Sequence, residues 1–318
     1  MLLIPLPMPK HSQPIFVLGP TGSGKSAVAV ELAELLGNAE IVSADAYQVY
    51  RELPILTAAP GAEERARVPH HLVGDMGVAE NNDAAMHARR AQEAIRQIAA
   101  RGKRPIVTGG SGLYVKFISH GISPAPPSDP ALRAELQALP PEEAVRRLQE
   151  ADPAGAAATN LQNPRYVVRN LEIVLLGGKP LSYWQQNWQH EPAGPGFAIA
   201  RETPELDARI ARRTAAMLRG GALDEVSALA GKTLSATADK TLGLSHIRQY
   251  LQDIGNESCV CIEKRMQQLR DDIALATRQY AKRQRTWLRR EQWLTHLPAT
   301  AETTAHAMAA QIAARLGA

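Results

Sequence analysis

Ile15, Phe16, Val17 and Leu18 form an apolar run that stops at Gly19-Pro20, the pattern of a short strand buried on both faces. From Lys25 to Leu36 the apolar residues Val28, Leu32, Leu35 and Leu36 recur at helical spacing, and Gly37-Asn38 ends the pattern. Residues 40–43 predict a second strand leading into Asp45, and residues 84–100 predict a helix closed by Gly102. Pro105-Ile106-Val107-Thr108 predicts a third strand, which runs into Gly109-Gly110-Ser111-Gly112. Strands that alternate with helices predict an α/β fold, a parallel sheet with helices on both faces.

The texture changes at residues 123–130, where four of eight residues are proline. From Pro130 to about Leu176 the pattern is helical and no strand is evident. Phe197-Ala198-Ile199-Ala200, preceded by Gly194 and Gly196, returns the chain to the sheet, and helices follow from Pro204, Ala222 and Glu263. The expected organisation is an α/β core of residues 1–124 and 194–318, interrupted by a small all-helical insertion domain at 125–193. There is no repeat of fixed period and no low-complexity tract.

Composition narrows this picture only slightly. In 318 residues, 45% are hydrophobic and 21% charged, which is ordinary for a globular chain. A net charge of +4 permits a nucleic-acid partner without requiring one. The two cysteines, Cys259 and Cys261, have no neighbours at zinc spacing and are expected as reduced thiols. Residues 1–10 are apolar but broken by Pro5, Pro7 and Pro9, too short and interrupted for a signal peptide or membrane span. No membrane association is expected, and a cytoplasmic protein is.

Gly19-Pro20-Thr21-Gly22-Ser23-Gly24-Lys25-Ser26 matches the phosphate-loop pattern G-x-x-x-x-G-K-[ST], and it lies between a predicted strand and a predicted helix as that loop requires. Its glycines allow backbone N–H groups to turn inward, and the following helix adds the positive end of its dipole. Lys25 can neutralise phosphate oxygens and the Ser26 hydroxyl can ligate Mg²⁺. The loop specifies a pyrophosphate-bearing ligand but no reaction: an ATPase, a kinase and a diphosphate-using transferase could all carry it.

Asp45 and Ser111 follow the second and third strands, so both are expected at the carboxyl edge of the sheet beside the phosphate loop. Asp45 could hold Mg²⁺ or accept a proton from a nucleophile, and a turn or cap role is the bland alternative. The Ser111 hydroxyl could donate to a phosphate or to a leaving-group oxygen. A kinase needs a further metal-binding acid after an apolar strand, and Thr108-Gly109-Gly110 supplies none. In residues 263–290, Met266, Leu269, Ile273, Tyr280 and Trp287 form an apolar stripe. Arg278, Lys282, Arg285 and Arg289 fall at i, i+4, i+7 and i+11, with no acid between Asp272 and Glu291. That one-signed face suits a nucleic-acid backbone.

Several ordered segments resemble the tRNA dimethylallyltransferase family. The family's GPTASGKT is similar to residues 19–26, with Gly22 and Ser26 as mild changes. Its SVDSMQVYRGMDIGTAKP is similar to residues 43–60, its VPHHL to Val68-Pro69-His70-His71-Leu72, and its GGTGLYxK to residues 109–116. Its TRQYAKRQxTWxR is nearly identical to residues 277–289. The resemblance implies a nucleotide-kinase-like P-loop core with a helical insertion over the tRNA anticodon stem. It implies transfer of a dimethylallyl group from dimethylallyl diphosphate to N6 of the adenosine 3′ of the anticodon, with Mg²⁺ on Ser26. Lys25, Asp45, Ser111 and Lys240 are then the catalytic residues. Asp45, Ala46, Tyr47, Gln48, Ser111, Arg133, Gln162, Arg165, Arg278, Lys282 and Arg285 become tRNA contacts, and a monomer is expected.

The family's NDPQRxxRALE is only partly kept at residues 162–172, where Asn163 replaces an acid and the arginine is shifted. In the family's xxRxxGYxQ, the arginine that meets the diphosphate corresponds to Lys240, which keeps the charge and loses the bidentate fork, and the Tyr and Gln become Leu244 and His246. The competing readings are a small-molecule P-loop kinase or NTPase and a non-catalytic RNA-binding relative.

Overall fold

The computed structural model describes residues 12–188, 191–253 and 259–317. The proline-broken N-terminal stretch and the side chains of Cys259 and Cys261 lie outside the described residues. The chain divides at Ser119/His120 and at Glu191/Pro192 into an α/β unit and a helical unit.

The α/β unit begins with β1 (Ile15–Leu18), α1 (Lys25–Leu36), β2 (Ala39–Ala44), α2 (Pro54–Thr57), α3 (Ala62–Arg67), β3 (His70–His71), α4 (Ala84–Ala100), β4 (Arg104–Gly109) and α5 (Gly112–Ser119). The helical unit contains α6 (Pro130–Ala138), α7 (Pro141–Ala151), α8 (Pro153–Ala157), α9 (Pro164–Gly177) and α10 (Leu181–Gln186). The chain then returns with β5 (Gly196–Arg201), α11 (Thr203–Arg219), α12 (Ala222–Ser227), α13 (Leu244–Asp253), α14 (Cys259–Leu288), β6 (Leu294–Ala299) and α15 (Ala305–Leu316).

All six strands are parallel, in the order β3-β2-β4-β1-β5-β6. Every residue of β1 is fully buried, as a continuous apolar run demands of a central strand covered on both faces. Burial of each such aliphatic side chain contributes about 1.5–3 kcal/mol. On one face, Val28, Ala29 and Leu32 of α1 and Met308, Ala309 and Ile312 of α15 pack on Ile15, Val17, Phe197 and Ile199. The helix α4 lies against β2 and β4.

The end of the chain differs from the sequence expectation, which stopped at residue 290. β6 and α15 complete the sheet and cover it. Pro298 sits in β6, where only an edge strand tolerates it, and the strand's mixed buried and exposed pattern hides it from an apolar-run criterion. The helix expected from Glu263 starts at Cys259, and β3 is a two-residue strand too short to signal itself.

The helical unit has its own core of Leu136, Leu148, Val167, Leu171 and Leu181. At its centre Glu172, fully buried, accepts from Ser128 Oγ at 2.7 Å, Asp129 N at 3.0 Å and Arg169 Nη1 at 2.6 Å, and also from Arg133. Asn163, which replaces the family's acid, caps α9 by accepting from Arg165 N at 3.1 Å.

Candidate active site

The segments that follow β1, β2, β4 and β5 leave the carboxyl edge of the sheet side by side, where the strand order reverses around β1. The β1 loop is residues 19–24, with Gly22 and Gly24 at φ 82° and 90°, a left-handed conformation that disfavours a side chain. Gly24 is the N-cap of α1 and presents Lys25 and Ser26 on its first turn. Within the loop, Pro20, Thr21 and Ser23 are buried.

Arg201, the last residue of β5, and Arg209 and Arg213 of α11 hold this loop from outside. Arg201 Nε donates to Ser23 O at 2.8 Å, Arg209 Nε to Gly22 O at 2.7 Å and Arg213 Nη1 to Thr21 Oγ1 at 2.9 Å. Gly22, Gly24, Lys25, Ser26, Arg209, Arg212 and Arg213 line a cleft of about 340 Å³. Its walls are anion-binding: three guanidinium groups, one ammonium and the amino end of a helix.

An adjoining cavity brings Lys25, Ser26, Asp45, Tyr47, Gln48 and Arg213 together with Tyr280 and Gln284 of α14. Its remaining walls include Leu56, Ile210, Met217, Leu242 and Ile273, an apolar surface next to a charged one. Burial pulls the Lys25 ammonium down to about 8, with Asp45 opposing the shift and Arg213 adding to it. Burial likewise lowers Arg213, against the pull of Asp45.

The turn that carries Asp45 is braced from below. Asp45 Oδ1 accepts from Tyr47 N at 2.9 Å. His87, fully buried, donates from Nε2 to Ser43 O at 2.9 Å, and burial holds its ring near 4, so it is a neutral strut. Asn82 Nδ2 donates to Ala46 O at 3.0 Å, and Gln48 bridges the Ser43 hydroxyl at 2.9 Å and Ala58 O at 3.1 Å.

Three residues of α14 follow the turn at residues 109–112. A Cβ on Gly110 would lie 2.6 Å from Gln284 Nε2 and 2.5 Å from Gly19 O, and one on Gly112 would lie 2.7 Å from Trp287 Cδ2. Only glycines permit that approach. Between them Ser111 Oγ lies 2.9 Å from Tyr280 Oη. Gln284 Oε1, in turn, accepts from Thr21 N at 2.8 Å. One helix therefore joins the Ser111 turn to the phosphate loop.

Not every expected residue joins this assembly. Lys240 is exposed at the end of a short 3-10 turn and lines neither cavity; Arg213 is the second cation beside Lys25 instead. Arg133 lies in the helical unit, where its guanidinium pairs with the buried Glu172. Ala46 is buried outside the cavity lining and contributes its carbonyl to Asn82. Gln162 and Arg165 are exposed at the start of α9, Lys282 is exposed, Arg278 is half-buried, and Arg285 donates to Thr203 Oγ1. Sequence reasoning missed Arg209 and Arg213, although two arginines at i, i+4 on the helix after β5 were a usable signal. It also placed Tyr280 in an apolar stripe, where its hydroxyl goes unnoticed.

The profile of the IPP transferase family matches residues 48–291. A tRNA dimethylallyltransferase of Akkermansia muciniphila is 56% identical over 304 residues, 95% of this chain and 99% of that protein. One of Anaeromyxobacter dehalogenans is 42% identical over 289 residues, 87% of this chain and 90% of that protein. The solved structure of the tRNA isopentenylpyrophosphate transferase from Bacillus halodurans is similar at a TM-score of 0.67 and 30% identity, covering 96% of this chain and 97% of that one.

Proposed function

The chain belongs to the IPP transferase family of tRNA dimethylallyltransferases, and on that premise we propose its reaction and the residues that perform it. It transfers a dimethylallyl group from dimethylallyl diphosphate to N6 of the adenosine 3′-adjacent to the anticodon, position 37, and releases diphosphate. The observation that carries this reading is the convergence of Lys25, Arg213 and Asp45 in one cavity with an apolar wall. That cavity suits a donor with an anionic head and a hydrocarbon tail, placed against a carboxylate.

The exocyclic amine of adenine is a weak nucleophile, because its lone pair is delocalised into the ring. Asp45 accepts a hydrogen bond from that N–H and takes its proton as the C–N bond forms. The allylic C–O bond breaks, and its electron pair leaves with the diphosphate. Lys25, Arg213 and the N–H groups of residues 19–24 stabilise the developing charge. Ser111 donates to the departing oxygen. The base must be splayed out of its stack to reach Asp45, with Tyr47 and Gln48 beside it.

No group of three or more His, Cys, Asp or Glu side chains with metal-binding geometry occurs among the described residues. The hard-oxygen donor Ser26 lining the cavity fits Mg²⁺, which is held largely by substrate phosphates and water, and Asp45 stays free to act as the base. When bound, it would neutralise diphosphate charge. The basic face of Arg278, Lys282 and Arg285 and the exposed Gln162 and Arg165 are proposed to meet the RNA backbone. The protein is proposed to act as a cytoplasmic monomer. Among the described residues, no helix is long and apolar enough to cross a membrane.

The test is release of diphosphate from dimethylallyl diphosphate, with and without anticodon stem-loop RNA. Release should require RNA with adenosine at the position 3′ of the anticodon and stop when guanosine replaces it. Turnover of ATP without RNA would instead support the kinase reading.

A further inference from the structure

The contact between Ser111 and Tyr280 joins two residues separated by 169 positions: Tyr280 lines the cavity that holds Asp45, and Ser111 Oγ lies 2.9 Å from its hydroxyl. We propose that Tyr280 is a positioning residue that donates its phenolic proton to Ser111 Oγ and thereby directs the Ser111 proton at the departing diphosphate oxygen. The proposal rests on the reading of this cavity as a prenyl-transfer site.

A serine hydroxyl carries one proton on a freely rotating bond. If Ser111 donates to Tyr280, it has nothing to offer the leaving group. If Tyr280 donates to Ser111, a Ser111 lone pair is occupied and its proton is free to point into the cavity. The tyrosine side of the pair is fixed. One turn on, Gln284 holds Thr21 N at 2.8 Å, and Trp287 fills the space that a side chain at Gly112 would need. Arg283 lies 5.6 Å from the Tyr280 ring centroid and covers it. Burial also pushes the phenol up, so it keeps its proton and stays a donor at neutral pH.

The proton count is simple. As the C–O bond breaks, its electrons go to the diphosphate oxygen, which accepts a hydrogen bond from Ser111 and takes no proton from it. Tyr280 also keeps its proton, and the one proton released, from N6, goes to Asp45. Tyr280 therefore takes part in no proton transfer and acts on the reaction through Ser111.

The test is a double-mutant cycle of Tyr280→Phe and Ser111→Ala, read as kcat, donor KM and melting temperature with stem-loop RNA. Tyr280→Phe keeps the ring and removes one oxygen. It should lower kcat about 10- to 100-fold, with donor KM changed less than about 3-fold. In the Ser111→Ala background the same change should cost almost nothing, because the hydroxyl it serves is gone. Equal losses in both backgrounds, or a loss that appears as higher KM or a lower melting temperature, would overturn the proposal. Wild-type kcat in Tyr280→Phe would do the same. An inactive wild-type protein would overturn the prenyl-transfer reading, and this inference with it.

Discussion

Arg213 Nη1 donates to Thr21 Oγ1 at 2.9 Å, so a helix that follows the fifth strand holds the loop that follows the first. The same guanidinium lines both cavities, and it stands where the family resemblance had suggested Lys240. Arg213→Lys keeps a charge and loses the planar fork that can serve Thr21 and a phosphate together. Its kcat/KM for the donor should fall about 10- to 100-fold, while Lys240→Ala stays within about 3-fold of wild type. Donor saturation curves at fixed RNA compare them, and the reverse ranking would return the role to Lys240.

Asp45→Asn keeps the hydrogen-bond acceptor to Tyr47 N and loses the base. We expect kcat to fall about 10²- to 10⁴-fold. RNA and donor affinity, measured by titration, should change little. Full activity in this variant would mean that the amine loses its proton elsewhere.

Lys25 titrates near 8 because burial disfavours its charged form. It is a cation below that pH and neutral above it, so kcat/KM for the donor should decline as pH rises through about 8. Once diphosphate is bound its charge holds the ammonium protonated, and kcat should persist to higher pH. The stability effect has the opposite sense. Between about 8 and the ordinary 10.5 the folded chain binds fewer protons than the unfolded one, so stability rises with pH in that window. Lys25→Met should stabilise the resting protein by about 1 kcal/mol at neutral pH while abolishing turnover. Thermal melts and donor pH profiles check both halves.

Glu172 is fully buried in the helical unit between Arg133 and Arg169. Burial alone would raise its carboxyl, and the hydrogen bonds from Arg133, Arg169 and Ser128 outweigh it and hold it below its usual value. Its contribution is therefore present above the unfolded carboxyl value, near 4.5, and is lost as pH falls below it. Glu172→Gln should cost about 3–5 kcal/mol in thermal or denaturant unfolding at neutral pH, since it leaves two guanidinium groups without a charge partner. Arg133→Ala should also lower stability. Unchanged stability in both, with weakened RNA binding in Arg133→Ala, would restore Arg133 to the RNA surface.

The phosphate loop, Asp45 and Ser111 were legible because each follows a short apolar run at once, so local pattern and parallel-sheet geometry suffice to place them. Arg213 was not, because its partner Thr21 is 192 positions away, and the i, i+4 pair with Arg209 marks a basic helix face without saying what it meets. The pairing of Arg133 was not legible for the same reason: its carboxylate partner is 39 residues on. Tyr280 was counted as apolar because helical spacing registers where a side chain points and not what its terminal hydroxyl meets. β6 escaped notice because an edge strand with Pro298 and three exposed positions has no continuous apolar run.

The most direct measurement is the mass of anticodon stem-loop RNA after incubation with the protein, dimethylallyl diphosphate and Mg²⁺, followed by nucleoside analysis. The account predicts one added dimethylallyl group, on N6 of the adenosine 3′ of the anticodon, and none with Asp45→Asn. Unmodified RNA with the wild-type protein, or a group added at another base, would contradict it.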